Sequence, residues 1–179
     1  MFQVIVDKAL LFLQVEVNVV FGSLDHSEAI ASAFLSVWSV STLITCWPHV
    51  LRQLRKKKTL LVNDMWFDEM IKPDVYLLRS ARTHSQFVKL AAAITDNWTA
   101  RGENTFAQWF KQVYLTERWN RWHINGAGVG GIMPSQQGIE SHHCVIKKTC
   151  VPSSRASTSG VLDGILPRIL RADGESLCP

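Results

Sequence analysis

A chain of 179 residues with 47% apolar content has the size of one ordinary domain and enough apolar matter to bury a core. Its net charge of +4 and pI of about 9.0 are mildly basic, compatible with a nucleic-acid partner without singling one out. The four cysteines form no C-x-x-C pair and no secretory framework, which points to reduced intracellular thiols rather than a disulfide scaffold, and the N-terminus lacks the basic lead of a signal peptide.

Residues 2–13 are apolar with Gln3, Asp7 and Lys8 interspersed, and read as a helix with a buried face. Residues 15–21 are β-branched and partly alternating, the pattern of a strand. Gly22-Ser23 is expected to break it, leaving Asp25 at its C-terminal end. Residues 26–37 read as a helix capped by Ser23 or Asp25, with Ile30, Phe34 and Val37 on one face. Residues 39–46, mostly β-branched, suit a second strand. A helix from Pro48, acceptable in a first turn, then carries Arg52, Arg55, Lys56, Lys57 and Lys58. Such a cluster neutralises phosphates or forms a solvated helix end that complements the dipole.

The order helix–strand–helix–strand–helix implies parallel strands joined by helical crossovers. An alternative is a single membrane span over residues 29–51, an uncharged stretch followed directly by cations. Its serines and threonines, Pro48, His49 and the break at 39–42 argue against it. Residues 61–118 are helical and aromatic, with helices expected at 62–72, 74–80, 83–99 and 103–115. The spacing of Phe106, Trp109 and Phe110 suits core packing more than base stacking. Residues 119–134 form a glycine-rich connection without a nucleotide-phosphate loop. A helix then runs through Glu140 to about residue 149. Residues 160–171 have the makings of a short helix in an otherwise loose tail. There is no internal repeat.

Two constellations carry chemistry. Asp25 at a strand end and Glu140 near a helix start are carboxylates of the kind that hold hard divalent cations beside phosphate oxygens; the competing roles are a helix cap and a surface acid. Cys46 and His49 offer zinc-type ligands, but a structural site needs four, and a packed cysteine beside a hydrogen-bonded histidine is the other reading. A cysteine nucleophile at Cys46 or Cys144 has no local signature to support it.

The order Asp25-His-Ser-Glu-Ala-Ile30, Cys46-Trp-Pro-His49, a helical insertion, and Pro134-Ser-Gln-Gln-Gly-Ile-Glu140-Ser-His-His-Cys-Val-Ile-Lys147-Lys148 resembles the C-terminal part of the catalytic domain of Mutator-like (MULE) DDE transposases. The resemblance covers roughly residues 10–150. It implies an α/β chain with a partial RNase H-like fold and an all-helical insertion. The divisions are a partial core at 1–60 with the second aspartate and the C-x-x-H pair, the insertion at 61–118, a connection and glutamate helix at 119–150, and a loose tail at 151–179.

By position, Asp25 matches the second acid of the metal triad and Glu140 the third. Cys46 and His49 match the C-x-x-H pair. Arg52, Arg55, Lys56, Lys57, Lys58, Lys147 and Lys148 become DNA-phosphate contacts. The implied cofactor is Mg²⁺ or Mn²⁺, with zinc at the Cys46–His49 pair as a further option. The partner is DNA, with no small-molecule substrate, and the location is intracellular, nuclear in a eukaryote. The chain departs from the family in that the first aspartate belongs to an earlier strand that would precede Met1. Gln136, Gln137 and His143 replace the family's asparagines. The expectation is a truncated, inactive remnant with an exposed sheet edge. The alternative is a non-enzymatic nucleic-acid-binding module.

Overall fold

The computed structural model describes residues 2–135, 137–151, 157 and 159–177, with side chains described at all of these except 137–140, 142, 143, 162, 173, 176 and 177. The chain is of mixed α/β class, mostly helical with a small two-stranded parallel sheet. It divides into two units, Met1–Ser135 and Gln136–Pro179.

The first unit opens with α1 (Phe2–Leu13), which ends at Gln14 in the left-handed region (φ 53°). The expected buried face is not there: no residue of α1 is buried, and Val4, Ile5, Leu10, Leu11, Phe12 and Leu13 are all exposed. Phe2 alone reaches a core, edge-on to Phe34 and tilted against Trp38.

The first strand lies later than expected. β1 is Phe21–Leu24, whereas residues 15–19 make no ladder. Their carbonyls go instead to side chains: Trp38 Nε1 donates to Val17 (2.9 Å) and Ser41 Oγ to Val19. The Gly22-Ser23 step does not break the strand but lies within it. A Cβ on Gly22 would stand 2.9 Å from Phe34 Cζ and 3.3 Å from Leu43 Cδ2, so glycine serves the close approach of a ring, not a turn.

The crossover helix α2 (Glu28–Leu35) is shorter than the expected 26–37. Its cap is Ser27, whose hydroxyl accepts from Ile30 N, rather than Ser23 or Asp25. Ala31 and Phe34 form the buried face, while Ile30 is exposed. β2 (Thr42–Thr45) pairs parallel with β1, Phe21 opposite Thr42 and Leu24 opposite Thr45. α3 (Trp47–Lys56) follows at once, with Pro48 in its first turn. The uncharged stretch at 29–51 is thus divided among α2, β2 and α3, and among the described residues no helix is long and apolar enough to cross a membrane.

The helical portion begins with a short π-turn, Phe67–Ile71, running into α4 (Lys72–Arg79). Pro73 lies in the first turn of α4, where the sequence suggested a break, and the preceding π-turn carries helical backbone straight into it. α5 (His84–Ala100) and α6 (Asn104–Tyr114) follow. Thr83 caps α5 through Gln86 N (3.1 Å), and Gln86 Oε1 reaches back to Arg82 N (2.9 Å), a reciprocal cap that fixes where the helix starts.

The core has two parts. The larger packs Trp47, Val50 and Leu54 of α3 against Ile71, Val75, Leu78, Phe87, Trp98, Phe106 and Phe110; the aromatic spacing seen in the sequence is therefore core spacing. The smaller joins Leu24, Ala31, Phe34 and Leu43 around the sheet. The segment after α6 belongs to both. Trp119 packs in the smaller part, and Trp122, fully buried, stacks on Trp47 and meets Phe87 edge-on. Thr45 binds this segment along the free side of β2, donating Oγ1 to the Trp119 carbonyl (3.0 Å) and N to the Arg121 carbonyl (3.3 Å).

In the second unit, α7 (Gln137–Thr149) carries Glu140, and a π-turn, Gly160–Ile165, leads into α8 (Leu166–Leu177).

Candidate functional site

Parallel pairing sends both strand C-termini to one end of the sheet, the usual place for sites in parallel α/β folds. Cys46 N donates to the Leu24 carbonyl (2.8 Å), so Asp25 and the start of α3 emerge together. Trp47 N donates to the Pro134 carbonyl (2.8 Å). The glycine-rich connection therefore returns to the first turn of α3 before the chain enters the second unit.

Asp25 is exposed. After it, His26 takes a left-handed backbone (φ 74°). This region suits histidine better than most residues, and such local strain gathers at functional positions. The His26 ring is fixed by three contacts: Nε2 lies 3.1 Å from the Val113 carbonyl, and the ring lies 4.4 Å from Trp119 and 5.3 Å from Tyr114 between centroids. Asp25, His26, Gln53, Lys57, Trp109 and Tyr114 surround a cleft of about 230 Å³. It is floored by aromatic surface and carries one carboxylate and one ammonium at its rim. Burial raises the Tyr114 hydroxyl pKa well above its ordinary 10, so the phenol stays protonated.

The basic cluster sits at the C-terminal end of α3. Arg52, Arg55, Lys56 and Lys57 are exposed, and none has an ion-pair partner among the described residues. Lys58 differs: it is half-buried, with its ammonium 5.7 Å from the Phe67 ring centroid. Of the cluster, only Lys57 shares the cleft of Asp25. Lys147 and Lys148 lie exposed in the last turn of α7.

Cys46 and His49 fall within one turn, with His49 N donating to the Cys46 carbonyl (3.1 Å). Cys46 is buried and His49 half-buried. Thiol and imidazole are zinc-type ligands, but a structural site needs four, and no group of three histidine, cysteine or acidic side chains suited to a metal occurs among the described residues. For a hard divalent cation, Asp25 offers an open carboxylate of the right chemistry. Glu140 lies within α7, but its carboxylate, like Gln136, lies outside the described residues.

The sequence named Asp25 and Lys57, which line one cleft, and the aromatic helices, whose rings form the larger core. It missed His26 as a strained, stacked element, although the residue sits beside Asp25 in the motif. It also missed His123, read as part of a loop. His123 is fully buried against Phe87, with Nε2 3.4 Å from Nδ1 of His84. No family model, curated protein or solved structure matches this chain.

Proposed function

We propose that this chain carries the C-terminal part of a Mutator-like DDE transposase catalytic domain. The ancestral activity of that domain is Mg²⁺-dependent DNA strand cleavage and transfer; these 179 residues carry matches to two of its three acids, Asp25 and Glu140, and are expected not to cleave DNA by themselves. One observation carries the reading: Leu24, Cys46–Trp47 and Pro134 are hydrogen-bonded together at one end of a parallel pair. The residue matching the second acid follows Leu24 directly. Glu140, matching the third, follows Pro134 by six positions in the chain. The helical insertion between them and the C-x-x-H turn at the head of α3 fall in the family's order.

By the resemblance, Asp25 and Glu140 would each be a cation ligand and Lys57 a phosphate contact. They do not supply the ligand shared by both ions of a two-metal site, and in-line displacement tolerates little misplacement of its groups. When bound, the cation would stabilise charge on the phosphate oxygens. Asp25 and Glu140 would hold it, and Lys57 would pair with the phosphate.

Mn²⁺ binding by the full chain, followed by electron paramagnetic resonance, tests the shared site. Asp25→Asn and Glu140→Gln should each weaken it by about tenfold, the effect of one lost ionic ligand. If either substitution leaves Mn²⁺ binding unchanged, the two acids do not share a cation. Nicking of supercoiled DNA should be absent; metal-dependent nicking abolished by Glu140→Gln would overturn that expectation.

A second reading rests on the four exposed cations of α3. As a plain nucleic-acid-binding module, the chain would bind DNA with a steep salt dependence. Lys56→Gln with Lys57→Gln would lower the slope of log K against log salt by about 2, and Asp25→Asn would change nothing.

A further inference from the structure

A larger cleft, of about 660 Å³, lies beside β2, between the residues entering that strand and the segment after α6. Ser41 and Thr42, entering β2, form one wall. His84, at the start of α5, with Glu117, Arg118, Asn120 and Arg121, forms the other. Its volume lies in the range of small-molecule sites.

Asn120 marks it as a site. The residue lines this cleft, is nine-tenths buried, and its Oδ1 has no hydrogen-bond partner among the described residues. Folded proteins leave few buried polar atoms unpaired, so this oxygen lacks a donor. Oδ1 itself is sealed from the cleft, and a turn about the terminal side-chain bond, which is soft, brings the oxygen to the cleft wall. Asn120 also borders an apolar hollow of about 220 Å³ between α5 and α6.

Beside it, Arg121 spends one N–H on the Gly126 carbonyl (2.9 Å). Its remaining donors make no hydrogen bond among the described residues. Arg118, at the rim, is tied to Glu28, and Glu117 lies exposed next to it. Burial, then the Arg121 charge, hold the His84 pKa below its ordinary 6.5.

We infer that this cleft binds a small phosphate monoester carrying hydroxyl groups, with the phosphate on Arg121 and a hydroxyl donating to the Asn120 amide oxygen. A guanidinium matches the paired oxygens of a phosphate. Free phosphate would fill only a fraction of the volume. A nucleic-acid strand would meet Glu117 and an already paired Arg118 at the rim. Glu117 instead suits further hydroxyls. The inference is independent of Asp25, Glu140 and the transposase reading.

Calorimetric titration of the full chain at fixed ionic strength tests it, using ribose 5-phosphate, inorganic phosphate, ribose and a short single-stranded oligonucleotide. Ribose 5-phosphate should bind at least about tenfold more tightly than the other three. Asn120→Leu should weaken it by about tenfold while raising the Tm of the free protein, because the unpaired oxygen is gone. An asparagine with only a structural role would lower Tm instead. Arg121→Gln should abolish binding; Arg121→Lys, which keeps the charge and loses the fork, should weaken it by about tenfold and replaces Arg121→Gln should that variant misfold. The proposal is overturned if ribose 5-phosphate binds no better than inorganic phosphate, if the oligonucleotide binds as well, or if Asn120→Leu leaves its affinity unchanged.

Discussion

Acid should unfold this protein through His123. The ring is fully buried, stacked on Phe87 at 4.9 Å, and faces His84 across 3.4 Å. Burial, then the neighbouring His84, then Arg121 push its pKa down from the ordinary 6.5 to about 4, against a smaller opposing effect of the Ala81 backbone. In the folded chain His123 therefore stays neutral at pH values where the unfolded chain has already protonated it. Between 6.5 and about 4 the unfolded state binds more protons, so stability rises with pH. The contribution is complete above pH 6.5 and is lost as the pH falls toward 4. At about 1.4 kcal/mol per pKa unit, that gap is worth about 3 kcal/mol, a large part of the roughly 5–15 kcal/mol that holds a domain together. Urea unfolding followed by tryptophan fluorescence, at several pH values from about 7 to about 4.5, should show it. The unaltered chain should lose about 2–3 kcal/mol more over this range than His123→Gln does. His84→Gln, which removes one of the neighbours that disfavour the charged ring, should reduce the loss without abolishing it. Parallel curves for the unaltered chain and His123→Gln, within about 0.5 kcal/mol, would refute the reasoning.

Two further outcomes concern packing and polar satisfaction. Glu103 is buried, and its carboxylate accepts from Val62 N at 2.7 Å and Asn63 N at 3.0 Å. Glu103→Ala should cost about 3–5 kcal/mol and Glu103→Gln, which keeps one acceptor, about 2 kcal/mol; a loss below about 1 kcal/mol for the alanine variant, read from the urea midpoint, would mean water replaces the carboxylate. Gly22→Ala should cost about 1–3 kcal/mol through its clash with Phe34, and Phe34→Leu in the same chain should recover part of that cost, a coupling that thermal unfolding of the double variant would reveal.

The sequence-level reading succeeded where local pattern and tertiary packing agree. α3, α4, α5 and α6 are amphipathic or aromatic at helical spacing, and each buries the face its pattern marks. Parallel pairing of β1 with β2 followed from the helical crossover. It failed where a residue's role is set by a distant neighbour. Gly22 carries the composition of a turn, yet Phe34, twelve positions on, makes it a strand residue. The β-branched run at 15–19 has strand propensity but no free ladder, because Trp38 and Ser41 take its carbonyls.

The segment 119–123 is the sharpest case. Its glycine-rich continuation suggests a loop, and it has no regular secondary structure. Even so, it buries Trp119, Trp122 and His123, satisfies Thr45 on the free side of β2, and lines the cleft at Asn120. Periodicity cannot detect such a segment, since its contacts alternate between two cores rather than along one face. Composition can: tryptophans three positions apart are too costly to expose and too close in sequence for an ordinary surface loop. The same segment joins the two cores, with Trp119 packed in the smaller and Trp122 in the larger.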